Sequence, residues 1–301
     1  MSFNGLDQKL HFLTGKGGVG KSSLAVLLSF IAAKHKKKVL LVELDPQGSL
    51  SSFFKGLTLD FIPRPLAPSI DGILITPRMA LREYIVKQIK FSKIYDLIFE
   101  NKAMHFFLDA APGIDEIAVI GKIFYLDQQK KWDMIIVDTP ASGHSLYLFK
   151  APKVFLDITK VGPIAKRSEE LYEMLLNPKR TAIHLVCLPE ELPVQETLEL
   201  SSEIKKLKLP LGKVFLNKML SPLQDSLVKF SLAKVSLASL DPSFKEKIEN
   251  SISKYQKRVS IQSSYQKALE KGLSQKTISI PWILDQEINA KILEKMAEVS
   301  L

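Results

Sequence analysis

The chain has 301 residues, of which 46% are apolar and 25% are charged, so its composition is that of a folded globular protein and excludes a disordered chain. It contains one cysteine, which excludes an internal disulfide framework and a multi-cysteine zinc site within one chain. No uncharged apolar run reaches the roughly 18 residues that a membrane-spanning helix needs.

The formal net charge of +10 is a reason to consider a nucleic-acid or membrane-surface partner. The lysines are spread along the chain, however, and the one dense cluster, residues 34–38, lies where a helix is expected to end. Cations at that position are favoured by the helix dipole, so we expect no nucleic-acid partner. Residues 1–9 lack the basic-then-apolar order of a secretory signal, which predicts a cytoplasmic protein.

Short apolar runs rich in β-branched residues recur along the chain and predict buried strands. They are Leu10 to Thr14, Val39 to Glu43, Met134 to Val137, Ala182 to Leu188, Val214 to Leu216 and Thr277 to Ile280. Longer amphipathic stretches alternate with them, which predicts an α/β fold with a doubly wound, mostly parallel sheet and helices on both faces. Cys187 falls within the fourth run and is expected to be buried as a small hydrophobe.

Apolar residues at helical spacing predict helices over Ser22 to Lys34 and Val194 to Leu207. The polar stretch Leu223 to Gly272 is helical in pattern, whereas Pro63 to Pro77 contains four prolines and is expected to form a loop. The positions of the long helix expected to be buried are Leu227, Phe230, Phe244, Ile248, Ile252 and Tyr255. We expect residues 1–301 to form a single domain with helical insertions at about 50–130, 151–180 and 223–272.

Directly after the first strand, residues 15–22 (Gly-Lys-Gly-Gly-Val-Gly-Lys-Ser) satisfy the pattern of a phosphate-binding P-loop and lead into a helix. Glycines let backbone N–H groups turn toward phosphate oxygens, and the helix N-terminus adds partial positive charge. Lys21 is predicted to reach the β- and γ-phosphates, and Ser22 to offer its hydroxyl to Mg²⁺. The predicted cofactor-binding residues here are Gly15, Lys16, Gly17, Gly18, Val19, Gly20, Lys21, Ser22 and Ser23, with ATP or ADP and Mg²⁺ as ligands.

A second lysine in the loop, Lys16, departs from a plain P-loop, because a loop that only cradles phosphate has no need of a long cation there. If it points outward, it would reach the phosphates of a facing subunit and stabilise charge in trans. That role is worth about 10³ to 10⁵ in rate when an arginine performs it in other NTPases. A solvated surface lysine is the alternative, and the spacing alone leaves both open.

Two aspartates follow predicted strands, at the edge of the sheet where doubly wound folds bind ligands. Asp45 is predicted to orient the attacking water, and a helix cap or a turn-forming aspartate before proline is the alternative. Asp138 comes after four apolar residues in the Walker B pattern and is predicted to hold Mg²⁺ through water.

Beyond Asp138, Gly143 is predicted to sense the γ-phosphate through its backbone and to move the loop when that phosphate leaves. His144 is expected to be structural, since no second histidine lies at metal-ligand spacing. The predicted catalytic residues are Lys16, Lys21 and Asp45, and the predicted metal residues are Ser22, Asp45 and Asp138.

Several short segments, in order along nearly the whole chain, resemble one family of ATPases. They are residues 16–22, Asp45-Pro46, residues 112–116 (Pro-Gly-Ile-Asp-Glu), residues 138–146 (Asp-Thr-Pro-Ala-Ser-Gly-His-Ser-Leu), residues 189–191 with Glu196-Thr197, Asn217 and Pro281. The chain resembles the ArsA family of deviant Walker A P-loop ATPases, which includes the arsenite-pump ATPase and the ATPase that guides tail-anchored membrane proteins. The MinD and ParA relatives share the glycine loop, so that loop alone does not distinguish them from the ArsA family. Residues 112–116 and 138–146 are the segments that restrict the resemblance to the ArsA family.

This resemblance implies a single P-loop ATPase domain that hydrolyses ATP across a homodimer interface, with Lys16 as the intermolecular lysine and Asp45 as the residue that activates water. It implies that Asn217 and the Pro281-Trp282 segment surround the adenine base. A cap or turn role is the alternative for Asn217. It also implies a hydrophobic or membrane-protein client.

The chain departs from the family in two respects. The C-x-x-C zinc motif of tail-anchor ATPase dimers and the arsenite-binding cysteines of the pump are missing, so we expect no zinc and no metalloid. The segment Ala151 to Arg180 is short for a methionine-rich client groove. Its apolar residues line a reduced client site or belong to an amphipathic hairpin packed on the sheet; they are Val154, Phe155, Ile158, Val161, Ile164, Leu171, Met174 and Leu175.

Three classes of function fit these features. The leading hypothesis is an ATP-gated homodimer whose closure reshapes a surface for a hydrophobic or protein client. The alternative is a positioning ATPase of the MinD and ParA kind that acts on membrane or DNA. The positive charge favours it, and the acidic residues of the last amphipathic helix, Glu287, Glu294 and Glu298, oppose it. A metal-cluster or metabolic enzyme is the third class, and one cysteine per chain leaves it only an intersubunit site.

Overall fold

One large sheet forms the centre of the fold. The computed structural model describes residues 6–45, 50–54, 57–89, 113–159, 161–222, 242–283 and 288–299. In these residues the strands are β1 Leu10–Thr14, β2 Val39–Glu43, β3 Arg64–Ala67, β4 Ile70–Leu74, β5 Met134–Asp138, β6 Thr181–Cys187, β7 Leu211–Met219 and β8 Thr277–Pro281. Their order in the sheet is β3-β4-β2-β5-β1-β6-β7-β8, and every neighbouring pair is parallel except β3 with β4.

Helices cover both faces of this sheet. They are α1 Lys21–Lys34, α2 Leu50–Phe53, α3 Pro77–Ile89, α4 Ile114–Gln128, α5 Ser142–Thr159, α6 Pro163–Leu176, α7 Glu191–Lys206, α8 Pro242–Leu273 and α9 Ala290–Val299. Side chains alternate along each strand, so Phe12 packs with α4 to α8 on one face and Leu13 packs with α1 and α9 on the other. The predicted doubly wound, mostly parallel α/β fold is confirmed.

The carboxyl ends of the central strands bring distant residues to one edge of the sheet. Leu13 of β1 and Glu43 of β2 both lie beside Asp138 of β5 in the strand registers. Thr14, which ends β1, is followed directly by the glycine loop. The phosphate loop and the two predicted switches therefore begin at the same edge, as ligand sites of such sheets do.

The expectation of a loop over Pro63 to Pro77 is wrong, because this stretch contains the antiparallel pair β3 and β4. Pro65 is tolerated because β3 is the edge strand of the sheet. Pro68 precedes the turn residue Ser69, whose φ is 62°, and Pro77 is the first residue of α3. The prolines mark an edge, a turn and a helix start, and the insertion expected to be helical at about 50–130 also contains two strands.

The long helix α8 confirms the helical pattern predicted for the later part of Leu223 to Gly272. Phe244 is 51% exposed, so its predicted burial is wrong. Half-buried are Ile248, Ile252 and Tyr255, while Leu227 and Phe230 lie outside the described residues. Leu269 and Leu273 are buried instead, where the end of α8 packs against α7 and β7. The helical period identified the helix but not the end that meets the sheet.

Two local expectations are confirmed. Cys187 is fully buried at the end of β6, and burial raises the pKa of its thiol to about 11. The basic cluster at residues 34–38 spans the end of α1 and the approach to β2. None of the helices in the described parts of the chain combines the length and apolarity needed to cross a bilayer.

A pair of hydrogen-bonded histidines with nearly coplanar rings, His11 on β1 and His184 on β6, is almost completely buried. His184 Nδ1 accepts from the backbone N–H of Lys213 at 2.8 Å, so His184 Nε2 carries the proton that it donates to His11 Nδ1 at 2.9 Å. His11 Nε2 in turn donates to the Gln8 carbonyl at 2.8 Å. These hydrogen bonds require both rings to be neutral.

We expect the free energy of unfolding to fall as the pH is lowered from about 7.5 to about 5. Burial lowers the pKa of His11 to about 4, and burial together with the neighbouring ring lowers the pKa of His184. Unfolded histidines take up protons near pH 6.5, so this stabilisation is complete above that pH and is lost as the pH falls toward the folded pKa. For His11 alone the full loss is on the order of 3 kcal/mol.

Urea unfolding across this pH range measures the effect. His11→Asn should flatten the pH dependence, whereas His144→Asn, a change at an exposed histidine, should leave it as in the wild type. A wild-type free energy of unfolding that stays constant across the range would contradict the neutral pair.

Candidate nucleotide-binding site

The glycine loop joins the end of β1 to Lys21, the first residue of α1. A Cβ on Gly15 would lie 2.2 Å from the Val186 carbonyl oxygen, and one on Gly20 would lie 2.2 Å from Asn217 Nδ2. Gly20 also precedes α1 with a φ of 91°, in the left-handed region that glycine tolerates best. The loop therefore packs closely against β6 and β7.

Gly20→Ala is expected to destabilise the fold by roughly 1–3 kcal/mol, because the left-handed backbone and the contact with Asn217 both oppose a Cβ. Thermal unfolding in the absence of nucleotide measures this. Gly17→Ala is the matched control in the same loop, since a Cβ there meets nothing within 4 Å. Equal unfolding temperatures for the two variants would contradict this account of the packing.

The Lys21 ammonium is turned back into the loop, where it donates to the carbonyl oxygens of Gly15 at 3.2 Å and Lys16 at 3.1 Å. Burial lowers its pKa, and the charges of Asp138 and Asp45 oppose that shift. Both acceptors are neutral, and an ammonium forms a stronger hydrogen bond with an ionised oxygen such as that of a phosphate. The position of Lys21 therefore fits a phosphate contact.

Ser22 and Asp138 are in direct contact at the edge of the sheet, where Ser22 Oγ donates to Asp138 Oδ2 at 2.5 Å. Asp138 Oδ1 is buried and has no hydrogen-bond partner in the part of the chain that the structure describes. Burial raises the pKa of Asp138 to about 6, against the hydrogen bond from Ser22 and the charge of Lys21. A buried carboxylate with an unmet oxygen, beside a serine hydroxyl, fits Mg²⁺, which takes oxygen ligands and keeps several waters.

Asp45 follows β2 at the same edge and is exposed, whereas Pro46 lies outside the described residues. The charge of Asp45 acts on the pKa values of Lys21 and Asp138, so it lies near both groups. Among the described residues, no three His, Cys, Asp or Glu side chains are grouped to hold a metal by themselves. The arrangement suits a Mg²⁺ that takes its remaining ligands from phosphate and water.

Sequence reasoning missed a second buried carboxylate, Glu43, which is 3% exposed. It accepts the backbone N–H of Leu50 at 2.9 Å and so ties the start of α2 to the end of β2. Burial raises the pKa of Glu43 to about 7 despite that hydrogen bond. The available signal was an acidic residue at the last position of an otherwise apolar strand, two residues before Asp45.

A cavity of about 360 Å³ opens beside the loop. Its walls include Gly18, Gly20, Lys21, Ser22 and Ser23 from the loop and α1, Asn217 from β7, Pro281 at the end of β8, and Trp282. Asn217 Nδ2 donates to the Val19 carbonyl at 2.8 Å and fixes the loop against β7. Five of the nine residues predicted for phosphate and the three predicted for adenine therefore line one cavity, while Gly15, Lys16, Gly17 and Val19 are not among its walls.

The second predicted switch leads into α5. Ser142 donates its backbone N–H to the Gly15 carbonyl at 3.0 Å, and Ser145 Oγ lies 2.5 Å from Thr14 Oγ1. Gly143 and His144, in the first turn of α5, are exposed. The start of α5 is thus hydrogen-bonded to the phosphate loop. A movement of the loop would therefore displace the start of the helix.

Lys16 forms an ion pair within its own chain. Its Nζ donates to Glu196 Oε1 at 2.6 Å, and Glu196 lies in the second turn of α7. The two side chains are 42% and 39% exposed. Lys16 is therefore neither turned into the loop, as Lys21 is, nor surrounded by solvent alone.

The sheet order, the glycine loop between β1 and α1 and the aspartate that ends β5 define a P-loop NTPase-type α/β fold. The family model for anion-transporting ATPases matches residues 8–162 and 156–239. The chain belongs to this family, the ArsA ATPases, as the sequence resemblance implied.

Relatives of the chain occur in bacteria and eukaryotes. ATPase BagA of Mycobacterium tuberculosis is 34% identical over 227 residues, which cover 70% of this chain and 65% of that protein. An ATPase ASNA1 homolog of Entamoeba dispar is 27% identical over 263 residues, which cover 72% of this chain and 78% of the relative. ATPase GET3B of Arabidopsis thaliana is 25% identical over 273 residues, 73% of this chain and 66% of that protein. The match thus spans less than two thirds of the mycobacterial relative.

Proposed function

We propose that the protein is a Mg²⁺-dependent ATP hydrolase that works as a nucleotide-gated homodimer. The observation that carries the proposal is the Ser22–Asp138 hydrogen bond, because it joins a metal-binding hydroxyl and a buried carboxylate beside the Lys21 ammonium. The cavity between the loop and Trp282 supports a nucleotide with a base rather than inorganic phosphate. Membership of an ATPase family supports ATP as that nucleotide.

Each part of the site has a role in this proposal. Loop N–H groups and Lys21 hold the β- and γ-phosphates, and Ser22 with Asp138 holds Mg²⁺. When bound, Mg²⁺ neutralises charge on the phosphate oxygens. Asp45 orients the attacking water, and Lys16 of a second copy neutralises the charge that develops as the γ-phosphate leaves.

Calorimetry and turnover measurements test this function. We expect ATP to bind more tightly with Mg²⁺ than with a chelator present, and turnover per protein to rise with protein concentration, because each site needs a second copy. No ATP binding would contradict the hydrolase, and turnover per protein that is independent of concentration would contradict the dimer.

An exposed apolar face on α5 supports a client in this proposal. Tyr147, Val154 and Ile158 are 65%, 43% and 71% exposed, and Val161, just after the helix, is 82% exposed. The helical residues recur at heptad-like spacing and share one face over about 16 Å. Ser142, the first residue of α5, is hydrogen-bonded to the Gly15 carbonyl of the phosphate loop. A change in the bound nucleotide that moves the loop would therefore also move the helix that carries this face.

The apolar residues between 151 and 180 had two alternative explanations, a reduced client site or an amphipathic hairpin packed on the sheet, and different residues fit different ones. Leu171, Met174 and Leu175 of α6 are buried in the core, so the alternative of a packed hairpin, and not that of a client site, describes them. Phe155 is half-buried, and the side chain of Ile164 lies outside the described residues. The proposed client surface is therefore the exposed face of α5, and its client is an apolar helical segment of another protein.

The double change Val154→Ser and Ile158→Ser is expected to weaken binding of a labelled apolar helical peptide about tenfold or more, because two apolar side chains lose their burial. Fluorescence anisotropy measures the affinity. Ile261→Ser, at a 44% exposed position of α8, is the control. Ile261→Ser should leave the affinity unchanged, and ATP turnover without peptide should not change in any variant. An unchanged affinity in the double variant would place the client elsewhere.

The last helix does not support the membrane-positioning alternative. α9 buries Leu293 and Ala297 against α1, and Ile288 and Met296 pack against the same core. A helix that lies on a membrane needs its apolar face exposed. The amphipathic pattern at the end of the chain is therefore explained by packing.

A further inference from the structure

The ion pair of Lys16 conflicts with the role that the proposed function gives this lysine. Its ammonium lies 2.6 Å from Glu196 Oε1 of the same chain. The same ammonium cannot at that moment reach the phosphates of a second copy. Lys16 therefore has two mutually exclusive positions, one within its own subunit and one across the proposed interface.

We propose that Glu196 is a positioning residue that holds Lys16 within its own subunit until two nucleotide-loaded copies meet. This inference rests on the proposed function and adds to it a residue that sets how readily the dimer forms. Glu196 acts only through Lys16. The ion pair between the two side chains has to break before the dimer can form.

The backbone that carries Glu196 is well fixed. Val194 and Thr197 on either side of it are buried against the sheet, and Thr197 Oγ1 donates to the Pro193 carbonyl at 2.7 Å. Leu192, one turn earlier, is 62% exposed, so the start of α7 faces outward. Glu196 thus presents its carboxylate from a helix that is packed on both sides of it, whereas Lys16 lies in the glycine loop.

The exposure of the pair decides how it works. Ion pairs that are this exposed favour their paired state by only about two- to fivefold. A triphosphate carries several negative charges and offers charge-assisted hydrogen bonds, so it outcompetes one carboxylate for the ammonium. The contact therefore lowers premature dimerisation without blocking the loaded dimer.

Chemical labelling of Lys16 tests the contact without nucleotide. Lys16 of Glu196→Gln should be acetylated by an amine-reactive ester about two- to fivefold faster than in the wild type, because its ammonium is no longer held. Peptide mass spectrometry measures the rate, with exposed Lys179 of the same molecule as reference. Glu199→Gln, one turn along the same helix and also exposed, is the matched control and should leave the rate unchanged. Equal Lys16 rates in the wild type and Glu196→Gln would overturn the proposal.

Turnover as a function of protein concentration tests the consequence. Because a dimer breaks two such pairs, Glu196→Gln should reach half-maximal turnover at about four- to twenty-fivefold lower protein concentration, with the maximal turnover unchanged. In a Lys16→Ala background, where turnover is too low to follow, the same change should leave the ATP-induced dimer measured by sedimentation unchanged, since Glu196 acts through Lys16. A lower maximum at an unchanged half-maximal concentration would overturn the proposal, because it would place Glu196 in the closed dimer. A wild type without ATP turnover would instead refute the proposed function, and the labelling rates would still decide whether Glu196 holds Lys16.

Discussion

Lys16→Ala is expected to lower ATP turnover by roughly 10³ to 10⁵, the range measured for trans-acting arginines in other NTPases. Affinity for ATP should change little, because Lys21 and the loop N–H groups of the same chain make the ground-state contacts in the proposed site. The loss is large because Lys16 of the second copy acts on the charge that develops as the γ-phosphate leaves, and an interaction made mainly in the transition state changes the rate rather than the affinity. Steady-state turnover and calorimetry on the same preparation separate the two effects.

The controls for this variant follow from the two lysines of the loop. Lys21→Ala should lose ATP affinity as well as turnover, since its ammonium already lies inside the loop. Lys179→Ala removes an exposed charge elsewhere and should alter neither quantity. If Lys16→Ala kept wild-type turnover, the second lysine of the loop would be a surface residue and the intermolecular role would fail.

The fold could be predicted where local pattern and burial coincide. The six strands expected from apolar runs are all present, because a parallel sheet buries both faces of its strands and leaves continuous apolar segments in the sequence. β3 and β4 were not predicted because Pro65 and Pro68 are typical of loops. The edge position of β3 makes Pro65 compatible with a sheet, and Pro68 lies in the turn between the two strands. Phe244 of α8 was wrongly expected to be buried for a similar reason. The helical spacing of apolar residues does not tell which end of a helix packs against the rest of the protein.

The candidate site could be predicted where function fixes local sequence. The glycine loop and the aspartate at the end of β5 stand out because turn geometry and strand ends constrain them. Contacts between distant segments are different. Ser22 and Asp138 are 116 residues apart and were expected to meet through a shared metal. Lys16 and Glu196 are 180 residues apart, and the sequence around each residue contains no pattern that predicts their ion pair. Glu43 was missed because its partner is a backbone N–H, which leaves no mark in the sequence.

Asp45→Asn is expected to reduce turnover by roughly 10² to 10⁴, the contribution of a positioned base, while ATP binding persists. The amide keeps the size of the side chain and can still accept a hydrogen bond, but it is uncharged and too weak a base to draw a proton from the attacking water. Hydrolysis would then be slower than dimer closure, so the variant should accumulate as an ATP-bound dimer. Sedimentation with ATP and Mg²⁺ measures that dimer, with Asp157→Asn, at a 60% exposed side chain of α5, as the control. A monomer under these conditions would contradict the assignment of Asp45.

The two variants together separate an intermolecular from an intramolecular lysine. A Lys16→Ala subunit keeps Asp45, and an Asp45→Asn subunit keeps Lys16, so in a mixed dimer one site contains its own Asp45 and receives a lysine from the other copy. Equal amounts of the two inactive proteins, mixed before ATP is added, should therefore regain about a quarter of wild-type turnover, because half the dimers are mixed and each holds one competent site. If Lys16 acted within its own chain, every site in the mixture would lack one of the two residues. Mixing would then restore nothing, and the lysine would have to be reassigned to the subunit that carries it.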